Sequence, residues 1–504
     1  MTADTTPGQK QQLKIIFVNL DQGHFNRGLV HKVNRAWTPY EIGIMAAMQV
    51  NAGHEVRVID ANACGLTNNT VIEQVKANAP DILLLASQPA DRWQNPFPTI
   101  AGQVDFCQNL RSSGFEGKII SFGPHPTLLP DHYLQSIPEC DYIVRGEPEV
   151  TVDELVRCLA QGNPPESVEG ISEIIDGIPK HHGSPQRIGD LNDLPLPAYD
   201  LLPMERYQHH FYSQVADPAH RFAYIETNRG CPFACSFCNL ALYGKKLRRF
   251  RIDRVLAEID VLVQNYGVNY IFFGDLTFGI HKKDTKLLLQ GLIERNYPLT
   301  WSCQTRVDIC TPEMVELMKK AGCRRIEAGV ESADPSLIED VKRVQIKKLY
   351  AFVEMLKVVG IKLEPGHLIG LPGQKKKHVN VSARILRKAG VRFKISGVTL
   401  AYPGTPDYLA SKNRGEMYPE TWEDVVTQAG KCGNDFTDRE LRALIRRWHL
   451  TYHFYILVRG LPKVIIKMSA LMALVRSMGY FLSSPSHSLG AVKRILEDAV
   501  YGDE

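Results

Sequence analysis

From Leu13 onward, short apolar runs alternate with longer amphipathic stretches. The runs Ile15–Asn19, Val56–Asp60, Ile82–Ala86, Lys118–Phe122 and Tyr142–Val144 have the length and composition of buried strands, and helix-length segments separate them. The first helix carries its own boundary signals: Thr38 as a cap, Pro39 in the first turn, Glu41 to complete a capping box and Gly53 as a stop. Such alternation predicts an α/β domain over 13–162, a parallel flavodoxin- or Rossmann-like sheet behind a polar tail at 1–12. Sheets of this kind bind ligands beyond the carboxyl ends of their strands, where the chain places GHFNRG, SQPADRW and GPHPT.

A Pro- and Gly-rich connector, 163–215, interrupts the pattern; it holds a small hairpin near Ile171–Ile175 and the extended run LNDLPLPAYDLLP. Alternation resumes over 216–406. Strand candidates are Phe222–Thr227, Tyr270–Phe273, Thr300–Gln304, Arg325–Ala328, Leu363–Ile369 and Gly397–Ala401, with helices such as Arg254–Gln264 and Pro312–Ala321 between them. Six β/α units predict a partial (β/α)6 barrel rather than a closed eight-unit one. The stretch 407–504 reads as helical, with Thr437 and Glu440 forming a second capping box.

At 504 residues the chain is too long for one core, and its 44% hydrophobic and 23% charged content is that of an ordinary globular protein. Disordered, collagenous and disulfide-scaffold classes are excluded. A net charge of +4 gives no footing for a nucleic-acid binder driven by bulk charge. No apolar run reaches membrane-spanning length; the longest, Val464–Val475, is broken by Lys467. The start MTADTTPGQKQQ lacks the apolar core of a secretory signal. These features predict a cytoplasmic chain whose 11 cysteines are reduced, so that a cysteine cluster reads first as a metal or catalytic site.

One such cluster stands out. NRGCPFACSFC sets Cys231, Cys235 and Cys238 in a C-x3-C-x2-C spacing directly after the first strand of the second β/α series. Three thiolates on one tight loop suit three irons of a 4Fe–4S cube and leave the fourth open to a chelating small molecule. A structural zinc site is the rival, but it wants four protein ligands, and Cys303 and Cys310 lie two strand units downstream. Spacing alone leaves the two level; the position at the first strand-loop of a β/α series favours iron and sulfur.

With this motif in that position, the chain resembles the radical S-adenosylmethionine (SAM) enzymes, in the subgroup with an N-terminal cobalamin-binding domain, over about residues 13–410. The resemblance implies three cofactors: a 4Fe–4S cluster on the three cysteines, SAM chelated to its open iron, and cobalamin. Phe237 matches the aromatic near the SAM adenine, Asp275 in IFFGDLTF the segment at its amino group, and Arg306 in WSCQTRVD a partner for its carboxylate. Glu331 and Ser332 in EAGVES match the ribose-facing strand, and Gly370 in GHLIGLPG the strand end beside adenine. Each has a structural alternative: Asp275 as a helix cap, Arg306 as the neutraliser of Asp308, Glu331 as a cap near Asp334, Gly370 and Gly373 as turn formers. The family often has Glu where this chain has Gln374.

By the same resemblance, Ser87 and the Gly123–His125 loop would lie along the cobalamin nucleotide tail, with Arg92 and Trp93 nearer the corrin. His24 in DQGHFNRG stands at the wrong spacing for the D-x-H-x-x-G lower-ligand loop; either it approaches cobalt or the lower face stays open. The bare alternation would equally suit a flavodoxin-like domain holding another ligand, and fold alone does not decide.

The implied activity is a cobalamin-dependent methyltransferase. One SAM methylates the reduced corrinoid, a second yields a 5′-deoxyadenosyl radical, and the substrate radical at an unactivated carbon or phosphorus takes the methyl group. Hydrogen-atom abstraction needs no general base, so no side chain is singled out as one. A small-molecule substrate, hydrophobic or a biosynthetic intermediate, and an external donor such as flavodoxin or ferredoxin are expected. The alternatives are a radical cyclase or rearrangement enzyme on the same cofactors, and a cobalamin-binding sensor with a structural cluster. The C-terminal helices read either as ordinary packing, with Arg446, Lys463 and Arg476 wet, or as a lid or peripheral membrane contact.

Overall fold

The computed structural model describes residues 11–447 apart from 22–35, 89–95, 97–98, 209–219, 392–396, 417–418, 428, 432, 435 and 438. His24, Arg92, Trp93 and everything from 448 onward, including Lys463 and Arg476, lie outside the described residues.

Two sheets carry the chain, the first parallel except for two added strands at one edge and the second wholly parallel. The first holds β1 (Lys14–Asn19), β2 (Glu55–Asp60), β3 (Ile82–Ala86), β4 (Lys118–Phe122), β5 (Tyr142–Val144), β6 (Ile171–Ile175) and β7 (Ile178–His181), in the order β2-β1-β3-β4-β5-β6-β7. Every residue of the central β3, Ile-Leu-Leu-Leu-Ala, is buried, as a strand covered on both faces requires. The hairpin expected inside the connector proves to belong to this sheet. β6 pairs antiparallel with β5, through Val144–Ile171 and Ile143–Ser172, so the sheet runs past Gly162 to His181. A three-residue β5 would otherwise leave an open edge. Arg145 fastens the added strands by donating from Nη2 to the carbonyls of Ile171, His182 and Gly183.

Apart from the two-residue strands β9 (Asn228–Arg229) and β10 (Arg248–Arg249), which pair only with each other, the second half of the described chain builds a sheet of six parallel strands. These are β8 (Phe222–Ile225), β11 (Tyr270–Phe273), β12 (Thr300–Thr305), β13 (Cys323–Glu331), β14 (Lys362–Ile369) and β15 (Gly397–Val398), in the order β15-β14-β13-β12-β11-β8. This is the open partial barrel that the six predicted units imply. Its core includes the fully buried Trp301, edge-on to Phe273 at 5.1 Å, whose indole N–H donates to the carbonyl of Ala321.

The helix after β1 spans Tyr40–Asn51, but Thr38 does not cap it. No side chain caps that end, and the Thr38 hydroxyl instead accepts from the Tyr224 N–H on β8, so this residue ties the two sheets together. The same helix meets the proline connector at Gly43, where a Cβ would stand 2.8 Å from Pro197. Tyr40 from the helix and Tyr199 from the connector both donate to the buried Glu258 of helix Ile252–Tyr266, at 3.2 and 2.6 Å. Near the C-terminal end of the described residues, Thr437 and Glu440 form the expected reciprocal cap. No helix among the described residues is long and apolar enough to cross a membrane.

Candidate active site

The cysteine loop springs from the carboxyl end of β8 and is closed at its neck by the β9–β10 pair. Gly230 has φ of +88°, and a Cβ there would lie 2.2 Å from the carbonyl oxygen of Lys246, so only glycine lets the two sides of the neck meet. Cys231 donates its N–H to Gly244 across the same neck. Beneath it, the buried Asp275 gathers the strand end: its carboxylate accepts from the N–H groups of Thr227 (2.6 Å) and Asn228, from the Asn228 amide (2.7 Å) and from the Thr227 hydroxyl. Burial pushes the Asp275 carboxyl up to about 7 against the pull of these donors. Its oxygens are spent on organising the approach to the cysteines.

The three sulfurs stand in a cationic, half-closed setting. Cys231 Sγ lies 3.6 Å from the Thr277 hydroxyl, and Arg306 Nη1 donates to Cys235 Sγ at 3.4 Å. Arg306 also forks onto Asp308 with two 3.0 Å bonds, donates to the Lys342 carbonyl and stacks over Phe233 at 3.9 Å. The charge-neutralising partner foreseen for Arg306 is thus present, while the guanidinium still reaches the cluster loop. Burial raises the Cys235 thiol, with Lys342 and then Arg306 opposing it, and burial raises Cys238 further. Metal binding would deprotonate such thiols.

Among the described residues no three His, Cys, Asp or Glu side chains converge on a single ion. Three soft thiols carried on one short loop are the donor set of an iron–sulfur cluster. Cys303, Cys310 and Cys323 lie apart from this loop, buried among the apolar side chains of the barrel core.

The ends of β13 and β14 form the adjoining wall. Glu331 takes a left-handed backbone, φ +55°, at a register shift opposite His367. Non-glycine residues rarely hold that conformation without a compensating contact. Here the Lys342 ammonium lies 3.2 Å from the carboxylate and 2.6 Å from the Gly329 carbonyl. A Cβ on Gly329 would sit 2.2 Å from the Glu331 carboxylate, so the glycine makes room for the pair. Burial, then Lys342, drives the His367 imidazole down to about 3, so this ring is neutral at any physiological pH. Ser332 is bound into the turn, its hydroxyl 3.1 Å from Ser382 and accepting from Asp334 N–H.

Phe237 packs beside Leu337, Val341 and Leu371, next to the β14 exit. There Gly370, φ +88°, leaves space for Gly430, whose Cα would be 2.4 Å from an added Cβ. Gln374 explains its own departure from the family's glutamate. Its side chain accepts from Gly370 N–H at 2.7 Å and donates to the Leu368 carbonyl at 3.3 Å, and a carboxylate cannot do the second.

At the mouth of the first sheet, Ser87 and Gly123 meet. Gly123 has φ of +109° and a Cβ on it would strike the Ser87 hydroxyl at 2.7 Å, a cradle cut to backbone width. The Ser87 hydroxyl accepts from His125 N–H, and the buried His125 ring packs edge-to-face on Trp422, 4.5 Å between centroids. Ser87 and Gly123 both lie past the carboxyl ends of β3 and β4, the end of such a sheet at which ligands bind. The two mouths adjoin: Tyr402, past the last barrel strand, donates to the carbonyl of Pro96, past β3, at 2.8 Å.

Lys342 and Trp422 carried no signal in the sequence, whereas Phe233 and His367 lie inside motifs already singled out. Lys342 and Trp422 belong to the site only because distant segments converge.

Comparison with known proteins bears on the domains and the fold. The radical SAM superfamily pattern matches residues 225–407 and the B12 binding domain pattern matches residues 26–156. The chain belongs to the radical SAM superfamily, in the branch that joins the barrel to a B12-binding domain. An uncharacterized methyltransferase of Pyrococcus horikoshii is 27% identical over 85% of this chain and 89% of its own length. An anaerobic magnesium-protoporphyrin IX monomethyl ester cyclase of Rubrivivax gelatinosus is 28% identical over 70% of this chain, which spans 62% of that relative. The fold is shared with the radical SAM methyltransferase TsrM of Kitasatospora setae, whose structure holds cobalamin and a 4Fe–4S cluster. The TM-score is 0.64 at 16% identity, over 79% of this chain and 74% of that one.

Proposed function

We propose that this chain is a cobalamin-dependent radical SAM methyltransferase that places a methyl group on an unactivated carbon, or a phosphorus, of a small molecule. The observation that carries the reading is the Tyr402–Pro96 contact, which sets the closing turn of the barrel against the exit of the corrinoid sheet. When bound, the cluster, SAM and cobalamin supply electron transfer, radical generation and the methyl group. The chain's own part is to hold and orient. Cys231, Cys235 and Cys238 bind the cluster; Arg306 and Lys342 bring positive charge beside Cys235; Phe237, Glu331 and Gly370 shape the SAM pocket; Ser87, Gly123 and His125 receive the corrinoid tail. An external one-electron donor and a reducing, cytoplasmic setting belong to the same reading, in keeping with the buried free thiols.

The test supplies the anaerobic, reconstituted protein with SAM deuterated at its methyl group and an extract of small molecules. The reading expects 5′-deoxyadenosine together with a trideuteromethyl product. Release of 5′-deoxyadenosine and an altered small molecule without the label would instead support the cyclase reading, which the Rubrivivax relative favours.

A further inference from the structure

Two arginines sit at the neck of the cysteine loop, one on each strand of the β9–β10 pair, and both reach into the N-terminal domain. Arg229, fully buried, places Nη1 2.7 Å from Oε1 of Glu149 and Nε 2.7 Å from Oε2 of Glu226. Arg248 donates from Nη1 to Glu147 Oε2 at 2.6 Å, pairs through Nη2 with the other carboxylate oxygen, and donates to the carbonyls of Ile188 and Tyr243. Glu147 and Glu149 open helix Pro148–Ala160, which follows β5, and both are buried.

This arrangement is poorly explained by stability alone. Glu226, from the barrel itself, already neutralises Arg229, so Glu149 is a second buried carboxylate on one guanidinium. Buried ion pairs generally stabilise no better than apolar side chains of similar volume, because desolvation offsets their attraction. What they do provide is direction: a fork-shaped guanidinium accepts partners only in its plane. Arg248 grips Glu147 through both terminal nitrogens, so that fork fixes the rotation of the loop against the helix, and the Arg229–Glu149 contact, a close ion pair without hydrogen-bond alignment two residues along the same helix end, fixes its distance. Arg229 is two residues from Cys231, so that register passes straight to the first cluster ligand.

We propose that the Arg229–Glu149 and Arg248–Glu147 pairs are positioning residues that set the separation between the cluster and the corrinoid. The inference rests on the functional reading above. Placement matters at this scale, because a misplacement of about 1 Å between reacting groups costs on the order of 10²-fold in rate.

The test needs no substrate. Wild-type protein, E149Q and E147Q are loaded with the cluster and with cob(II)alamin, iron and corrinoid are quantified, and the cluster is reduced with dithionite. Electron paramagnetic resonance then reads the magnetic coupling between the two centres. The expected result is unchanged iron and corrinoid content with a single coupling in the wild type and a weaker, spread coupling in both variants. R248K, which keeps the charge but gives up the fork, takes the same measurement and is expected to show the same loss should the glutamine variants not fold. Unchanged coupling in the variants overturns the inference, and so does loss of iron with the remaining loaded molecules coupled as in the wild type. A wild-type chain that takes up no corrinoid overturns the functional reading and this inference together.

Discussion

Arg306 donates to the sulfur of Cys235 at 3.4 Å while gripping Asp308 with its other nitrogens, so a charged guanidinium is fixed against a cluster ligand. The reduced cluster carries one more negative charge than the oxidised one, and a nearby cation favours the reduced form. Replacing Arg306→Leu is therefore expected to lower the cluster potential by on the order of 59 mV, one tenfold step for a one-electron couple. Arg306→Lys should fall between, since it keeps the charge without the fork. A spectroelectrochemical titration reads the shift; a potential that rises or stays put contradicts the role.

Removing any one of Cys231, Cys235 and Cys238 as serine is expected to abolish stable iron retention. Cys303→Ala and Cys310→Ala should keep full iron and lose only packing, about 1 kcal/mol each. Iron analysis after anaerobic desalting separates the two groups. Equal iron loss in the second group would make the core thiols ligands.

The chemistry was legible where it is local in sequence. The three cysteines lie within eight residues of one another, and the strand candidates needed only apolar runs and their spacing. What stayed hidden is long-range. Thr38 reads as a helix cap, yet it bonds to Tyr224, 186 positions away. The hairpin at Ile171 looked like connector because its pairing partner, β5, lies 27 residues upstream, and nothing in a strand's own pattern names its neighbour. Lys342 sits at a helix end, where lysine is commonplace, and becomes notable only because a strained Glu331 is folded onto it.

Gln374→Glu would install the residue more usual in the family and is expected to destabilise this chain. The new carboxylate cannot donate to the Leu368 carbonyl and would face it with negative charge. A loss of about 1–3 kcal/mol follows for an unsatisfied buried acceptor. Denaturant unfolding should show this loss shrink as acid protonates the carboxyl; an unchanged or raised midpoint would count against the amide's role.

Burial lifts Asp275 to about 7 and Asp60 to about 6. An unfolded carboxyl titrates near 3.9, so between about 4 and 7 the native chain holds more protons than the unfolded one. Stability of the metal-free chain is then expected to fall as pH rises through that window and to level off above it. In D275N the part of the slope between about 6 and 7 should flatten. Unfolding midpoints across a pH series measure this, and a slope of the opposite sign refutes it.

The most direct measurement is metal analysis with ultraviolet–visible spectroscopy on anaerobically reconstituted protein. The account predicts about four irons per chain, in a cluster whose spectrum changes on adding SAM, together with one bound corrinoid. Zinc held by Cys231, Cys235, Cys238 and a further side chain would contradict it.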